Sequence, residues 1–289
     1  AFEVRLIGRA LAGVGVPVNI LKGAAYASAG LAPAGGRMFS DIDILVPRER
    51  LDDVESALMV HGWVTTDLDA YDQHYYRAWM HELPPMEHVR RGTLIDVHHA
   101  ILPLTAAARP DPAALRAAAV PITGMEPFAV LAPTDMILHS AVHLFYDGEL
   151  DHGMRDLLDM HRLLQSFGAT PGFWPALAAR ARELQLARPL FYALRYSHAL
   201  LGTPVPAEAL AGGTLSVASG GEPPAALRAL MDALFLRALL PNHASCDGPL
   251  TGAARFCLYI RANWLRMPPL MLARHLFHKA FLSPKKTNG

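Results

Sequence analysis

The run Phe39-Ser40-Asp41-Ile42-Asp43-Ile44-Leu45-Val46 constrains the fold more than any other part of the chain, because it places two carboxylates inside an apolar, β-branched segment. Such a segment reads as a strand. A strand alternates its side chains, so Asp41 and Asp43 share one face, about 7 Å apart, while Ile42 and Ile44 take the other. Two hard oxygen ligands at that spacing can share divalent cations, and phosphate chemistry uses such platforms. Charges that guard an edge strand against aggregation give the same pattern. Two neighbours favour the metal reading. Upstream, Asn19-Ile20-Leu21-Lys22-Gly23-Ala24-Ala25-Tyr26 reads as strand, glycine turn and helix; downstream, Thr93-Leu94-Ile95-Asp96-Val97-His98-His99 is a second β-like run with an acid in its middle.

Composition removes several classes of function. The 289 residues are 52% hydrophobic and 18% charged, which suits one large globular domain or two ordinary ones. A net charge of zero leaves no whole-molecule basic field for nucleic acid, so a nucleic-acid partner is the less favoured one, with a tRNA end still open. The two cysteines, Cys246 and Cys257, form no Cys-x-x-Cys, which argues against a disulfide scaffold or thiolate zinc site and suits a reducing cytoplasm, the expected compartment. No signal peptide is evident. No uncharged run is long enough to span a bilayer, since Asp232 and Arg237 interrupt the most apolar late segment.

Periodicity divides the chain at residue 132. Before it, helices are expected over 2–13, 23–31 and from Pro47 to Gly62, and strands over Val18–Leu21, Phe39–Val46 and Trp63–Asp69. Met86–Arg91 and Thr93–Leu102 read as a hairpin about Arg91-Gly92. Residues 70–83, rich in Tyr and His, read as an excursion beside the site, and Pro103–Ala119 as a helical connection. From Pro133 the pattern is helical, with Thr134 as N-cap and Asp135 in the first turn. Helices follow over 154–167, 174–186 and 188–201, then a Gly/Pro/Ala-rich connection over 202–224, and two more helices near 225–240 and 251–281, the last kinked at Met267-Pro268-Pro269. The expected organisation is an α/β core over 1–132 and a helical domain over 133–289.

Three carboxylates on neighbouring strands with a glycine turn before a helix form a coherent set. Nucleotidyl transfer uses two metal ions that bridge a triphosphate and activate the incoming hydroxyl. Asp41 and Asp43 would hold the metals, Mg²⁺ or Mn²⁺. Asp96 would complete the site and help remove the acceptor's proton. The Lys22-Gly23 turn would offer backbone N–H groups to phosphate oxygens. Lys22 and Arg37 could neutralise the leaving pyrophosphate, and Ser40 could donate a hydrogen bond nearby.

These motifs, in this order, resemble the nucleotidyltransferase superfamily of DNA polymerase β type. More closely, they resemble the uncharacterised nucleotidyltransferase family of bacteria. The resemblance rests on Leu21-Lys22-Gly23, on Arg37 to Val46, on Ile95-Asp96-Val97-His98, and on Thr134 to His143 followed by Arg155-Asp156-Leu157-Leu158-Asp159. It covers roughly residues 15–165. It implies an α+β fold, a polymerase-β-like core with a small mixed sheet followed by an all-helical C-terminal region. It implies a Mg-dependent transfer of NMP from an NTP, ATP first, to an acceptor with pyrophosphate release. Relatives of the family lie in biosynthetic clusters, which suggests a peptide, saccharide or small-molecule acceptor. The superfamily's small-residue turn is here Lys22-Gly23, a departure that motivates an alternative. On the same fold the acceptor would meet the γ-phosphate and the enzyme would be a kinase. A catalytically inactive nucleotide-binding module is the third reading.

Other candidates are weighed one by one. His139 and His143 are four apart on a helix and share a face with no glutamate to complete His-Glu-x-x-His, so a zinc site with His98 and His99 is disfavoured. The favoured reading has one of the pair, taken as His143, facing the nucleotide. His98 shares the face of Asp96. Arg155 is the candidate for a phosphate or acceptor contact, and Asp156 and Asp159 serve either the site or the helix dipole. The basic C-terminal run, including Arg255, Arg261, Arg266 and Arg274, reads as a packed helix with a solvated face ahead of a lipid- or acid-binding one.

Overall fold

A computed structural model describes residues 2–36, 41–66, 69–146, 148, 150–210 and 218–281. Its core is a seven-stranded mixed sheet: β1 (Val18–Ile20), β2 (Asp41–Leu45), β3 (Trp63–Thr65), β4 (Met86–His88), β5 (Leu94–His98), β6 (Val120–Pro121) and β7 (Phe128–Val130), in the order β3-β4-β5-β2-β1-β7-β6. The two acid-bearing strands β2 and β5 are parallel neighbours at the sheet's centre, and β1 runs antiparallel to β2 on its other side. Ile42, Ile44, Ile95 and Val97 are buried on one face, which fixes the register that turns the acids to the other.

Helices α1 (Phe2–Leu11), α2 (Lys22–Ser28), α3 (Leu51–Val60), α4 (Ala70–His74) and α5 (Pro112–Ala117) belong to this part. The C-terminal region is helical: α6 (Pro133–Tyr146), α7 (Gly153–Gly168), α8 (Phe173–Glu183), α9 (Ala187–Leu201), α10 (Ala207–Leu210), α11 (Ala218–Gly221), α12 (Ala225–Ala238), α13 (Thr251–Arg266) and α14 (Pro269–Phe281). The fold is thus α+β with a mixed sheet and a helical C-terminal region. One hydrophobic core runs through both parts, from Val4 and Ile44 to Tyr196 and Phe235. No helix among the described residues is long and apolar enough to cross a membrane.

Several local expectations are corrected. Pro133, not Thr134, opens α6, since proline needs no N–H partner in a first turn and brings its φ preset. Within Pro103–Ala119 only α5 is helical, capped by Asp111, whose side chain accepts from Ala113 N. Strands β6 and β7 were not expected: they are short, carry no alternation, and exist through pairing with each other and with β1. Of the strand expected over Trp63–Asp69, Trp63–Thr65 form β3, and 67–68 lie outside the described residues. The connection over 202–224 contains α10 and α11, with 211–217 outside the described residues. The last helix is broken as Pro268-Pro269 require, into α13 and α14.

Candidate active site

Asp41 and Asp43 project from β2, and Asp43 is in direct register with Asp96 on β5. Like charges directly opposite on adjacent strands repel, so this pairing requires compensating cations. Asp43 is 3% exposed. Lys22 Nζ donates to its Oδ1 at 2.7 Å, and His98 Nε2 donates to the same oxygen at 3.1 Å. Burial alone would raise the Asp43 carboxyl, but the Lys22 charge and the His98 hydrogen bond outweigh it and hold it far below the ordinary carboxylate range. Asp96 is shifted upward, by burial first and by the Asp43 charge second.

His98 is itself clamped: its Nδ1 lies 3.1 Å from Glu82 Oε2 while Nε2 faces Asp43. Burial disfavours its charged form, yet the Glu82 and Asp43 carboxylates prevail and its basicity is raised. Lys22 heads α2 with φ +46°, a left-handed conformation for a residue with a side chain. Its position is secured from both sides, by Leu21 N donating to Asp43 O and by α2, whose Tyr26 hydroxyl lies 2.8 Å from Ser140 Oγ on α6. That contact brings the helical region over the sheet.

A cavity of about 700 Å³ opens above the carboxylates. Lys22, Gly23, His98, His143 and Arg155 all line it with the three acids. His143 Nδ1 lies 4.0 Å from Asp156 Oδ2, and Arg155 Nε donates to Asp156 Oδ1 at 3.2 Å. Arg37 and Ser40 fall in 37–40, outside the described residues. His139 also lines the cavity; burial and then the Lys22 charge keep its imidazole neutral well below the ordinary histidine range. The 70–83 excursion contributes Tyr75, Tyr76 and Glu82 to the cavity lining. Glu82 belongs to no motif, and the density of Tyr and His around it is the one signal in the sequence. From α13 come Tyr259, Asn263 and Arg266. Arg261 of the same helix is not on a solvated face: it lies over the rings of Tyr146, Tyr192 and Phe235 and donates to Phe145 O.

The donor set fits a hard divalent cation. One oxygen from each of Asp41, Asp43 and Asp96 lies within 4.8 Å of the others, all ligands are oxygen, and the fold already recruits two side-chain cations to one of these acids. Among the described residues His98, His99, His139 and His143 do not assemble as a four-histidine metal site.

The model of a family described as "Uncharacterised nucleotidyltransferase" matches residues 1–202. No match to a curated protein was found. Among solved structures, the solution structure of the antibiotic-resistance factor ANT(2'')-Ia aligns at a TM-score of 0.41 and 18% identity, covering 70% of this chain and 95% of that one.

Proposed function

The chain belongs to the uncharacterised nucleotidyltransferase family, and from that footing we propose that it transfers NMP from an NTP, ATP first, to a hydroxyl of a peptide, saccharide or other small molecule, releasing pyrophosphate. The observation that carries this reading is the register of Asp43 on Asp96, with Asp41 beside them, beneath a cavity of about 700 Å³. That volume suits a nucleotide with a small acceptor better than a polymer.

Asp41, Asp43 and Asp96 would hold Mg²⁺ or Mn²⁺, which when bound neutralises phosphate charge and makes a coordinated oxygen more acidic. The residues of the chain divide the remaining work. Asp96, with its raised proton affinity, takes the acceptor's proton as its oxygen attacks the α-phosphate in line. Lys22 and Gly23 face the triphosphate, Lys22 exchanging Asp43 for a phosphate oxygen as substrate enters. His98 is a positioning residue that fixes Asp43. Arg155 and His143 approach from the helical side, and Arg37 and Ser40 are proposed for the leaving pyrophosphate. On this reading residues 1–132 hold metal and phosphates, residues 133–289 supply the facing wall, and the setting is cytoplasmic.

Incubation with α- and γ-labelled ATP, Mg²⁺ and an acceptor panel tests the proposal. Expected are α-label on an acceptor and release of labelled pyrophosphate from the γ-labelled substrate, both lost in Asp41→Asn and Asp43→Asn. Transfer of the γ-label would overturn it in favour of a kinase, and undiminished activity in both variants would remove the metal assignment.

A further inference from the structure

Next to the three carboxylates lies a second group of ligand-type side chains. The chain returns from the Tyr-rich excursion in extended form: Glu82 pairs with His98 in an isolated antiparallel bridge, His99 N donates to His81 O, and Leu83 N donates to Val97 O. This backbone ladder holds a nitrogen of His81, an oxygen of Glu82 and a nitrogen of His98 within 4.8 Å of one another. The two imidazoles are 5.3 Å apart between centroids and tilted by 34°. His81 Nδ1 is closed off from solvent and has no hydrogen-bond partner among the described residues. A buried polar atom in that condition is destabilising and calls for a specific reason.

We infer that His81, Glu82 and His98 form a second divalent-cation site, whose ligand chemistry selects zinc or a related first-row ion. Two imidazoles and a carboxylate make a set suited to such ions, with room for a further ligand, whereas the neighbouring all-carboxylate set suits magnesium. His98 joins the two sites. Its Nδ1, beside Glu82, is the ligand, and its Nε2–H donates to Asp43, so a carboxylate orients the metal-bound ring. Binding replaces the His98–Glu82 hydrogen bond, releases the Nδ1 proton of His98 to solvent, and takes a His81 nitrogen as its third ligand. The ion thereby stiffens the imidazole that positions Asp43. The site stands whatever group the enzyme transfers, because no nucleotide takes part in it.

Cobalt(II) titration of the full chain tests this directly. Nitrogen-ligated cobalt of low coordination absorbs strongly in the visible, and six-coordinate all-oxygen cobalt only faintly. The expected result is a strong band in wild type and in Asp41→Asn/Asp96→Asn, lost in His81→Gln and in Glu82→Gln. The band should vanish on adding one equivalent of Zn²⁺ and survive a large excess of Mg²⁺. Absence of the band in wild type, its persistence in folded His81→Gln, its loss in the Asp41→Asn/Asp96→Asn protein, or its displacement by Mg²⁺ would each overturn the inference. The Zn²⁺ and Mg²⁺ competitions use wild type alone, so they decide the point even where a variant fails to fold.

Discussion

Lys22 Nζ meets Asp43 Oδ1 at 2.7 Å from a backbone held at φ +46°. The left-handed conformation disfavours any L side chain by about 1–2 kcal/mol, and glycine would adopt it freely. Lysine stands there, so the ammonium compensates for the strain by neutralising a buried carboxylate that faces a second carboxylate across the sheet. Lys22→Ala removes the ion pair and keeps the strain, while Lys22→Gly removes both. Urea denaturation should therefore rank wild type above Lys22→Gly and Lys22→Gly above Lys22→Ala, the last two separated by about 1 kcal/mol. Equal stability of the two variants would show that the backbone at Lys22 is unstrained.

Asp41 and Asp43 should separate in stability though not in activity. Asp43→Asn keeps an acceptor oxygen but removes the negative charge that Lys22 and His98 share, a loss of up to about 3–5 kcal/mol at a buried ion pair. Asp41 is only half-buried, and Asp41→Asn should cost less than Asp43→Asn. Both variants should lose turnover. Thermal melts alongside an α-label transfer assay check the two predictions together.

Removing divalent ions should uncouple the nucleotide from the fold. ATP at about 100 times its dissociation constant, with Mn²⁺, should add roughly 2.7 kcal/mol, a rise of a few degrees in Tm for a chain of this size. EDTA should abolish that shift, and Asp41→Asn/Asp43→Asn should not show it. A shift of equal size in EDTA would mean that the triphosphate is held without the carboxylates.

The histidines predict a stability maximum near neutrality. Burial, and after it the Arg48 charge, lower His99 to about 4, and His139 is lowered by burial and then Lys22. Below the ordinary histidine value of 6.5 the unfolded chain binds these protons and the fold does not, so stability falls as pH drops from 6.5 toward about 4. His98 runs the other way. Burial opposes its charge, but Glu82 and Asp43 raise its basicity, so its contribution is complete below 6.5 and is lost as pH rises through its raised value. Denaturation midpoints across pH should show both limbs, with His99→Gln flattening the acid one and His98→Gln the alkaline one.

Away from the site, Arg180 donates twice to Asp135, which is fully buried, at 2.8 and 2.9 Å, and once to Ala114 O. Arg180→Met leaves that carboxylate and a carbonyl without their partner and should cost about 3–5 kcal/mol in equilibrium denaturation. The paired replacement Arg180→Met/Asp135→Leu should recover most of the loss, because the uncompensated charge is gone.

Local pattern made a good part of this molecule legible. The alternation of Asp41, Ile42, Asp43 and Ile44 determined strand, facing and carboxylate spacing together, because a period of two leaves one way to bury the isoleucines. The hairpin about Arg91-Gly92 and the break at Pro268-Pro269 were equally local, each resting on one residue type's backbone limits. Strands β6 and β7 were not legible, since neither sits in a longer apolar or alternating run and both exist through pairing with each other and with β1. Tertiary structure alone decided that Asp43 stands opposite Asp96, that Glu82 comes back to pair with His98, and that Arg261 lies over aromatic rings instead of in water. Each of these depends on contacts between residues far apart in the chain, and a side chain's charge state and partner follow from the surroundings that such contacts build. The sequence by itself determined which groups could do chemistry; packing decided which of them meet.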